Sequence, residues 1–200
     1  TVDGFEAGLG RWMGEQLADL PPDTDVVIDL RGNPGGRLAE ADAVISCFLP
    51  RDRLWAARTG RSGRRVDLRT GGGCGDLNEP VSNDVAVLVD ANSRSAAELT
   101  PAALQEARRA VVIGAPTAGS VLISQETRLP DGGRLSLSRA DFVTAGGVRL
   151  EKRGVTPDIA APLTPEDQRA GRDPGLDAAL SALAEPRSEP AMALQAAPTL

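Results

Sequence analysis

The stretch Asp25-Val26-Val27-Ile28-Asp29-Leu30-Arg31-Gly32-Asn33-Pro34-Gly35-Gly36 most constrains what this chain can fold into. Val26, Val27, Ile28 and Leu30 form a dense, mostly β-branched apolar run, which suits a buried strand. Gly and Asn tolerate positive φ and Pro fixes φ, so the chain must turn sharply where the strand ends. Residues 38–45 then read as a helix. A strand, a tight glycine turn and a helix together aim backbone N–H groups at an anion. A βα turn can need glycine for steric reasons alone, so this stretch does not decide by itself. It also lacks the Lys-Ser/Thr ending of a phosphate loop, which argues against nucleotide binding.

A second stretch narrows the reading. Val85-Ala86-Val87-Leu88-Val89 is another buried strand, and it runs through Asp90-Ala91-Asn92-Ser93-Arg94-Ser95 into a helix over 96–107. A serine held between a strand and a helix can be an exposed nucleophile, with the helix N-terminus favouring negative charge. On the residues alone, Ser95 reads first as a helix N-cap, because Glu98 three positions on completes a capping box.

The remaining elements alternate. Residues 5–20 carry Phe5, Leu9, Trp12, Met13 and Leu17 at helical spacing, and Pro21-Pro22 ends that helix. The helix after the glycine turn continues to about residue 48 and is closed by Pro50. Strands are expected over 54–57 and 65–68, joined by a turn at 60–63 and followed by a flexible glycine loop at 71–75. Further strands are expected over 110–113, 120–127, 134–138 and 141–143, with turns at 130–133 and 146–147. Pro101 is expected near the start of its helix, where a missing N–H matters little. A last amphipathic helix covers 174–183. The pattern is that of an α/β fold.

With 200 residues, the chain reads as one domain over 1–184 and a Pro/Ala-rich tail over 185–200 expected to be disordered. The net charge of −6 argues against a nucleic-acid surface, and no apolar run reaches membrane-spanning length. Arg58, Arg61, Arg64, Arg65 and Arg69 form a basic cluster, read as a solvated hairpin or as a surface for an acidic partner or a substrate carboxylate. Cys47 and Cys74 are the only cysteines, and no histidine is present. The two thiols are either independent or a disulfide that ties the 71–75 loop to the end of the preceding helix, as suits an oxidising compartment. Two cysteines without histidine do not make a zinc site, so no metal or other cofactor is expected.

Four segments in order, 29–36, 93–98, 114–119 and 154–158, resemble the carboxyl-terminal processing (tail-specific) serine peptidases and their tricorn-core relatives. They match D-L-R-x-N-x-G-G, S-x-S-x-x-E, G-x-x-T-x-G and G-V-x-P-D, across roughly residues 25–160. The resemblance implies a ClpP/crotonase-like core of repeated β-β-α units, and a chain that starts after the family's helical and PDZ parts. It places the nucleophile at Ser95, with Ser93 as the nearest rival. It places the oxyanion hole at the N–H of Ala96 and at Gly35 or Gly36, between which the sequence does not choose.

The proton acceptor is where the chain departs from the pattern. The lysine-type peptidases carry their base right after the glycine matching Gly119, where this chain has Ser120. Lys152, the chain's one lysine, is not at that position, and Arg94 stays protonated. The tricorn-like branch takes a histidine from its N-terminal part, supported by a serine and by a glutamate that maps to Glu151. Glu151 equally suits an ion pair with Arg149 or Arg153. Ser124 and Gln125 fall one residue away from a supporting glutamine of the lysine-type relatives. The implied function is a serine endopeptidase acting on unfolded or C-terminal protein segments, with its base on upstream sequence and self-association into a homo-oligomer open. The rival is an inactive, peptidase-like module that binds peptides or apolar ligands; acyl-CoA chemistry has no motif behind it. The cysteines and the family habit lean toward a periplasmic or secreted protein, the tricorn-like branch toward the cytoplasm.

Overall fold

Every residue of the strand β4, Val85–Val89, is buried in the computed structural model, which describes residues 1–21, 23–71 and 73–185. Burial on both faces follows from its partners. Val85, Val87 and Val89 point into the main core, while Ala86 and Leu88 point into a smaller one on the opposite face. Helix α5, Pro174–Ala184, covers that second face through Ala179. A strand covered on both sides needs no polar residue, which is why its sequence is a continuous apolar run. Full burial of a side chain such as Leu88 stabilises by about 1.5–3 kcal/mol.

Around β4 the chain lays down a parallel sheet in the order β1, β4, β5, β8, with β1 at Val26–Asp29, β5 at Val111–Gly114 and β8 at Ile159–Ala160. A second, antiparallel sheet has β3 (Arg65–Arg69), β2 (Leu54–Gly60), β7 (Arg134–Thr144) and β6 (Ile123–Arg128), in that order. Helices α1 (Leu9–Ala18), α2 (Leu38–Ser46) and α3 (Ala96–Glu106) fill the space between them, and α4 (Pro165–Ala170) leads into α5. Trp55, Ala56 and Phe142 of the second sheet share one core with the valines of β4.

Several expectations are corrected. Helix α1 begins at Leu9, after Gly8 with φ 96, so Phe5 lies outside it and pairs instead with Gly36 in a parallel bridge. Trp12 is 45 % exposed, off the buried stripe of Met13 and Leu17. The two strands expected over 134–138 and 141–143 are one strand, β7, because Ala140 pairs with both Ile123 of β6 and Gly60 of β2, across an irregularity in the β6 register. Pro101 sits inside α3 rather than in its first turn, and burial of every residue from Ala96 to Leu104 offsets the lost N–H. The expected disordered tail, apart from Glu185, lies outside the described residues.

Two cross-links hold the periphery. Cys47 and Cys74 form a disulfide across a sequence separation of 27 residues, with Cα atoms 4.7 Å apart. Arg31, just past β1, is held between Asp29 (2.7 Å) and Asp173 (2.8 Å), and Asp173 also caps α5 by accepting the Leu176 N–H at 3.0 Å. The hydrogen bond to Asp29, then the one to Asp173, raises the Arg31 guanidinium further above its ordinary value, and the hydrogen bond from Arg31 lowers the Asp173 carboxyl. A carboxyl lowered in the folded state stabilises above its unfolded pKa, about 3.9, and that contribution fades as pH falls through the folded value. Amide exchange across residues 175–184 should therefore accelerate below about pH 4 relative to the core strands, and Arg31→Ala should produce the same change at neutral pH. Reduction of the disulfide should destabilise the fold by roughly 3–4 kcal/mol, read as a lower Tm in thermal unfolding with and without reductant.

Candidate active site

Strands β1 and β4 are parallel neighbours in register, with Asp29 opposite Leu88. The turns that follow them therefore emerge side by side at the carboxyl ends of the sheet, where open α/β sheets place their ligand sites. The turn after β4 is fastened first. Asp90 Oδ1 accepts the N–H groups of Gly32 (2.9 Å), Asn92 (2.9 Å) and Ser93 (3.0 Å). Burial pushes the Asp90 carboxyl up, but these donors outweigh burial and hold it below its ordinary value. Ser93 is fully buried; its hydroxyl donates to the Leu30 carbonyl at 2.8 Å and accepts the Asp90 N–H at 3.0 Å. Both functions of that hydroxyl are consumed, one within its own turn and one across to the turn after β1, so Ser93 is not a free nucleophile.

Ser95 differs in each respect. It is half-buried, at the N-cap of α3, with φ 55 and ψ −116. A non-glycine residue held at positive φ costs on the order of 1–3 kcal/mol and persists only where its surroundings enforce it. The enforcement is visible. The Ser95 N–H is shared between the Ser120 carbonyl (3.0 Å) and Glu98 Oε2 (3.1 Å). Ser95 and Glu98 form a capping box, in which the Ser95 side chain faces the Glu98 N–H while that N–H also goes to the Ser95 carbonyl oxygen at 2.8 Å; among the described residues the hydroxyl donates no hydrogen bond, so its proton is free to leave.

The glycine turn abuts this serine. Gly35 has φ 93, and a Cβ on it would fall 2.7 Å from Ser95 Cβ and 3.0 Å from the Ala96 nitrogen. No other residue permits that approach. The Gly35 N–H is already taken by Asn33 Oδ1 at 2.8 Å. Gly36, with φ 146, bridges to Phe5 through its neighbours, which leaves its own N–H directed away from Phe5. Among the described residues, the N–H groups of Gly36 and Ala96 have no acceptor. The geometry thus separates the two glycines that the sequence left equivalent.

The residue that sequence reasoning took only as a helix cap is Glu98. It is fully buried, makes no ion pair among the described residues, and accepts four hydrogen bonds. Oε1 takes the Thr117 hydroxyl (2.6 Å) and the Gly119 N–H (2.7 Å); Oε2 takes the N–H groups of Ser120 (2.8 Å) and Ser95 (3.1 Å). Thr117 Oγ1 accepts in turn the Val155 N–H at 2.7 Å. One carboxylate so links the serine turn to the 114–119 segment, and through Thr117 to 154–158. The available signal was its setting: an acid within Ala96-Ala97-Glu98-Leu99, on a helix too apolar to face water.

Glu151 is half-buried and accepts the Val121 N–H at 3.0 Å through Oε2; among the described residues it makes no ion pair. Arg149 pairs with Asp141 instead. The adjacent Lys152 gives its backbone N–H to the Gly119 carbonyl at 2.7 Å and leaves its side chain exposed. Ser120 is exposed, with its main chain tied to Ser95 and Glu98. The structure ties Ser95 to Ser120 through the main chain, sets Ala96 against Gly35, the neighbour of Gly36, and joins the Glu151 side chain to Val121, next to Ser120. It sets Ser124 and Gln125 apart, exposed on β6.

Comparison with known proteins fits this arrangement. A carboxy-terminal-processing protease of Bartonella bacilliformis is 36 % identical over 133 residues, which is 66 % of this chain and 30 % of that protein. The carboxy-terminal processing protease CtpB of Bacillus subtilis is 30 % identical over 160 residues, 80 % of this chain and 31 % of that protein. The chain thus spans about a third of the length of these relatives. In structure it resembles the photosystem II D1 C-terminal processing protease, with a TM-score of 0.65 at 24 % identity over 82 % of this chain and 42 % of that one. It also resembles the tricorn protease, with a TM-score of 0.53 at 20 % identity over 78 % of this chain and 14 % of that one. The α/β core is of the ClpP/crotonase-like kind that the sequence motifs imply. Because residues 1–161 match the model of peptidase family S41, serine turn, glycine turn and Glu98 included, the chain belongs to that family.

Proposed function

We propose that residues 1–184 are the serine-bearing catalytic domain of an endopeptidase that cleaves unfolded or C-terminal segments of proteins. One observation carries the reading: a Ser95 hydroxyl that donates no hydrogen bond among the described residues, at a strained strand-to-helix turn that abuts the glycine turn, with the Ala96 and Gly36 amides left without acceptors. Ser95 Oγ attacks the substrate carbonyl carbon, and its proton passes to a base. The oxyanion accepts hydrogen bonds from the Ala96 and Gly36 N–H groups, at the positive end of α3. The peptide C–N bond then breaks, the leaving amine takes the proton, and water releases the acyl group from Ser95. The base comes from sequence upstream of Thr1, with Glu151 supporting it beside Ser120. The disulfide favours an oxidising compartment, periplasmic or extracellular.

The absence of histidine and the serine at position 120 favour a second reading, an inactive module that keeps the fold and binds peptides. Intact mass after fluorophosphonate treatment separates the two. Ser95 of the full-length protein should be labelled, and Ser95→Ala should abolish both labelling and peptide cleavage. Full-length protein that takes up no label would leave only the binding module. Glu98→Gln replaces one acceptor oxygen by a donor facing N–H groups; it should slow labelling about a hundredfold by misplacing Ser95, with kcat falling more than KM rises. Equal labelling rates would remove Glu98 from the positioning role.

A further inference from the structure

The arginine-rich hairpin offers a feature that peptide hydrolysis does not itself require. Residues 51–69 contain seven arginines and two aspartates in a chain whose net charge is −6. Some of these charges are locally neutralised: Arg65 pairs with Asp67 at 2.9 Å, and Arg69 lies 3.9 Å from Asp52. Arg58, Arg64 and Arg139 are exposed and make no ion pair among the described residues. They come from different places, Arg58 from β2, Arg64 from the β2–β3 turn and Arg139 from β7. All three line one groove of about 290 Å³ whose floor is the half-buried Val66, Ile123 and Ala140. A solvated hairpin scatters its charges; here arginines from three separate segments line one groove together with apolar residues.

The groove is joined to the candidate active site. Ile123 packs against the same core as the fully buried Val121, whose N–H is held by Glu151. Val121 follows Ser120, the residue whose carbonyl holds Ser95. Three residues of extended chain span about 10 Å, so a polypeptide lying across Ser95 would reach the groove within a few residues of its cleavage point.

We infer that this groove is an anion subsite for the substrate polypeptide, in which Arg58, Arg64 and Arg139 receive carboxylates borne by the peptide. This inference rests on the peptidase reading of Ser95. Planar guanidinium groups match carboxylates in two-point contacts, and the apolar floor takes the aliphatic stems. The carboxylates are either acidic side chains or the free chain end, and one experiment distinguishes them.

The full-length protein carrying Ser95→Ala is titrated, by fluorescence anisotropy, with three short peptides of otherwise equal sequence. One has internal aspartates and an amidated end, one a free terminal carboxylate and neutral side chains, and one is neutral and amidated. At least one carboxylate-bearing peptide should bind about fivefold tighter than the neutral one at about 0.05 M salt, and the advantage should vanish at about 0.5 M. Which one does so identifies the source. The added pair Arg58→Ala and Arg139→Ala should erase the preference while leaving binding of the neutral peptide unchanged. Equal binding of all three peptides, or a preference that survives the double change, overturns the subsite. So does an effect of the double change confined to phosphatidylserine vesicles, which would make the groove a lipid surface. Fluorophosphonate labelling of the Ser95-containing protein is read separately: without labelling, an arginine-dependent preference keeps the subsite and removes only the nucleophile.

Discussion

The buried carboxylate of Glu98 is the interaction on which the rest of the candidate site depends. An unpaired charge in an apolar interior is costly, and four hydrogen-bond donors are what make this one tolerable. Those donors belong to Ser95, Thr117, Gly119 and Ser120, so satisfying the carboxylate requires the 114–120 segment to close over the N-terminus of α3. The dependence is mutual. The same hydrogen bonds hold the Ser95 backbone at a positive φ it would not choose, and the helix dipole adds favourable field at that end of α3.

The sheet supplies the second condition. Parallel pairing of β1 with β4 sets two turns side by side, and the links from Ser93 to Leu30 and from Asp90 to Gly32 fix their separation. Only then does the absence of a side chain at Gly35 matter, because the two turns touch there. Asn33 refines the result. By occupying the Gly35 N–H it leaves the next amide, that of Gly36, as the one of the two without an acceptor among the described residues. Which donors stay free is thus set by what the other donors are already doing, a property of the hydrogen-bond network and not of any single residue.

This explains what could be read in advance. The strands of the parallel sheet were legible because burial on both faces leaves an unbroken apolar run, and the glycine and serine turns were legible from their chemistry. Helix α4 was not, since none of its residues is buried and it carries no apolar stripe; its signals were Thr164, Pro165 and Asp167 at its start. Strand β8, two residues long, offers no period to detect. Phe5 fell on the helical face of the sequence, yet it serves Gly36 instead, because Gly8 interrupts the helix. Glu98 was visible as a cap and invisible as a junction, because its partners lie in residues 117–120, and only the fold brings them to it. The pairing of Cys47 with Cys74 was open for the same reason.

A site made of amides, one strained serine and one buried acid is coherent without its base. Oxyanion stabilisation and nucleophile placement are properties of a rigid scaffold, whereas proton transfer needs only a group of suitable pKa brought within hydrogen-bond reach. The scaffold's features are costly on their own: positive φ at Ser95, left-handed glycines with no side chain to pack, and a carboxylate removed from water. A module that only binds peptides along a sheet edge or a groove needs none of them, since main-chain pairing and side-chain pockets suffice for binding. Their joint presence at one turn therefore weighs for a chain built to hold a reacting serine.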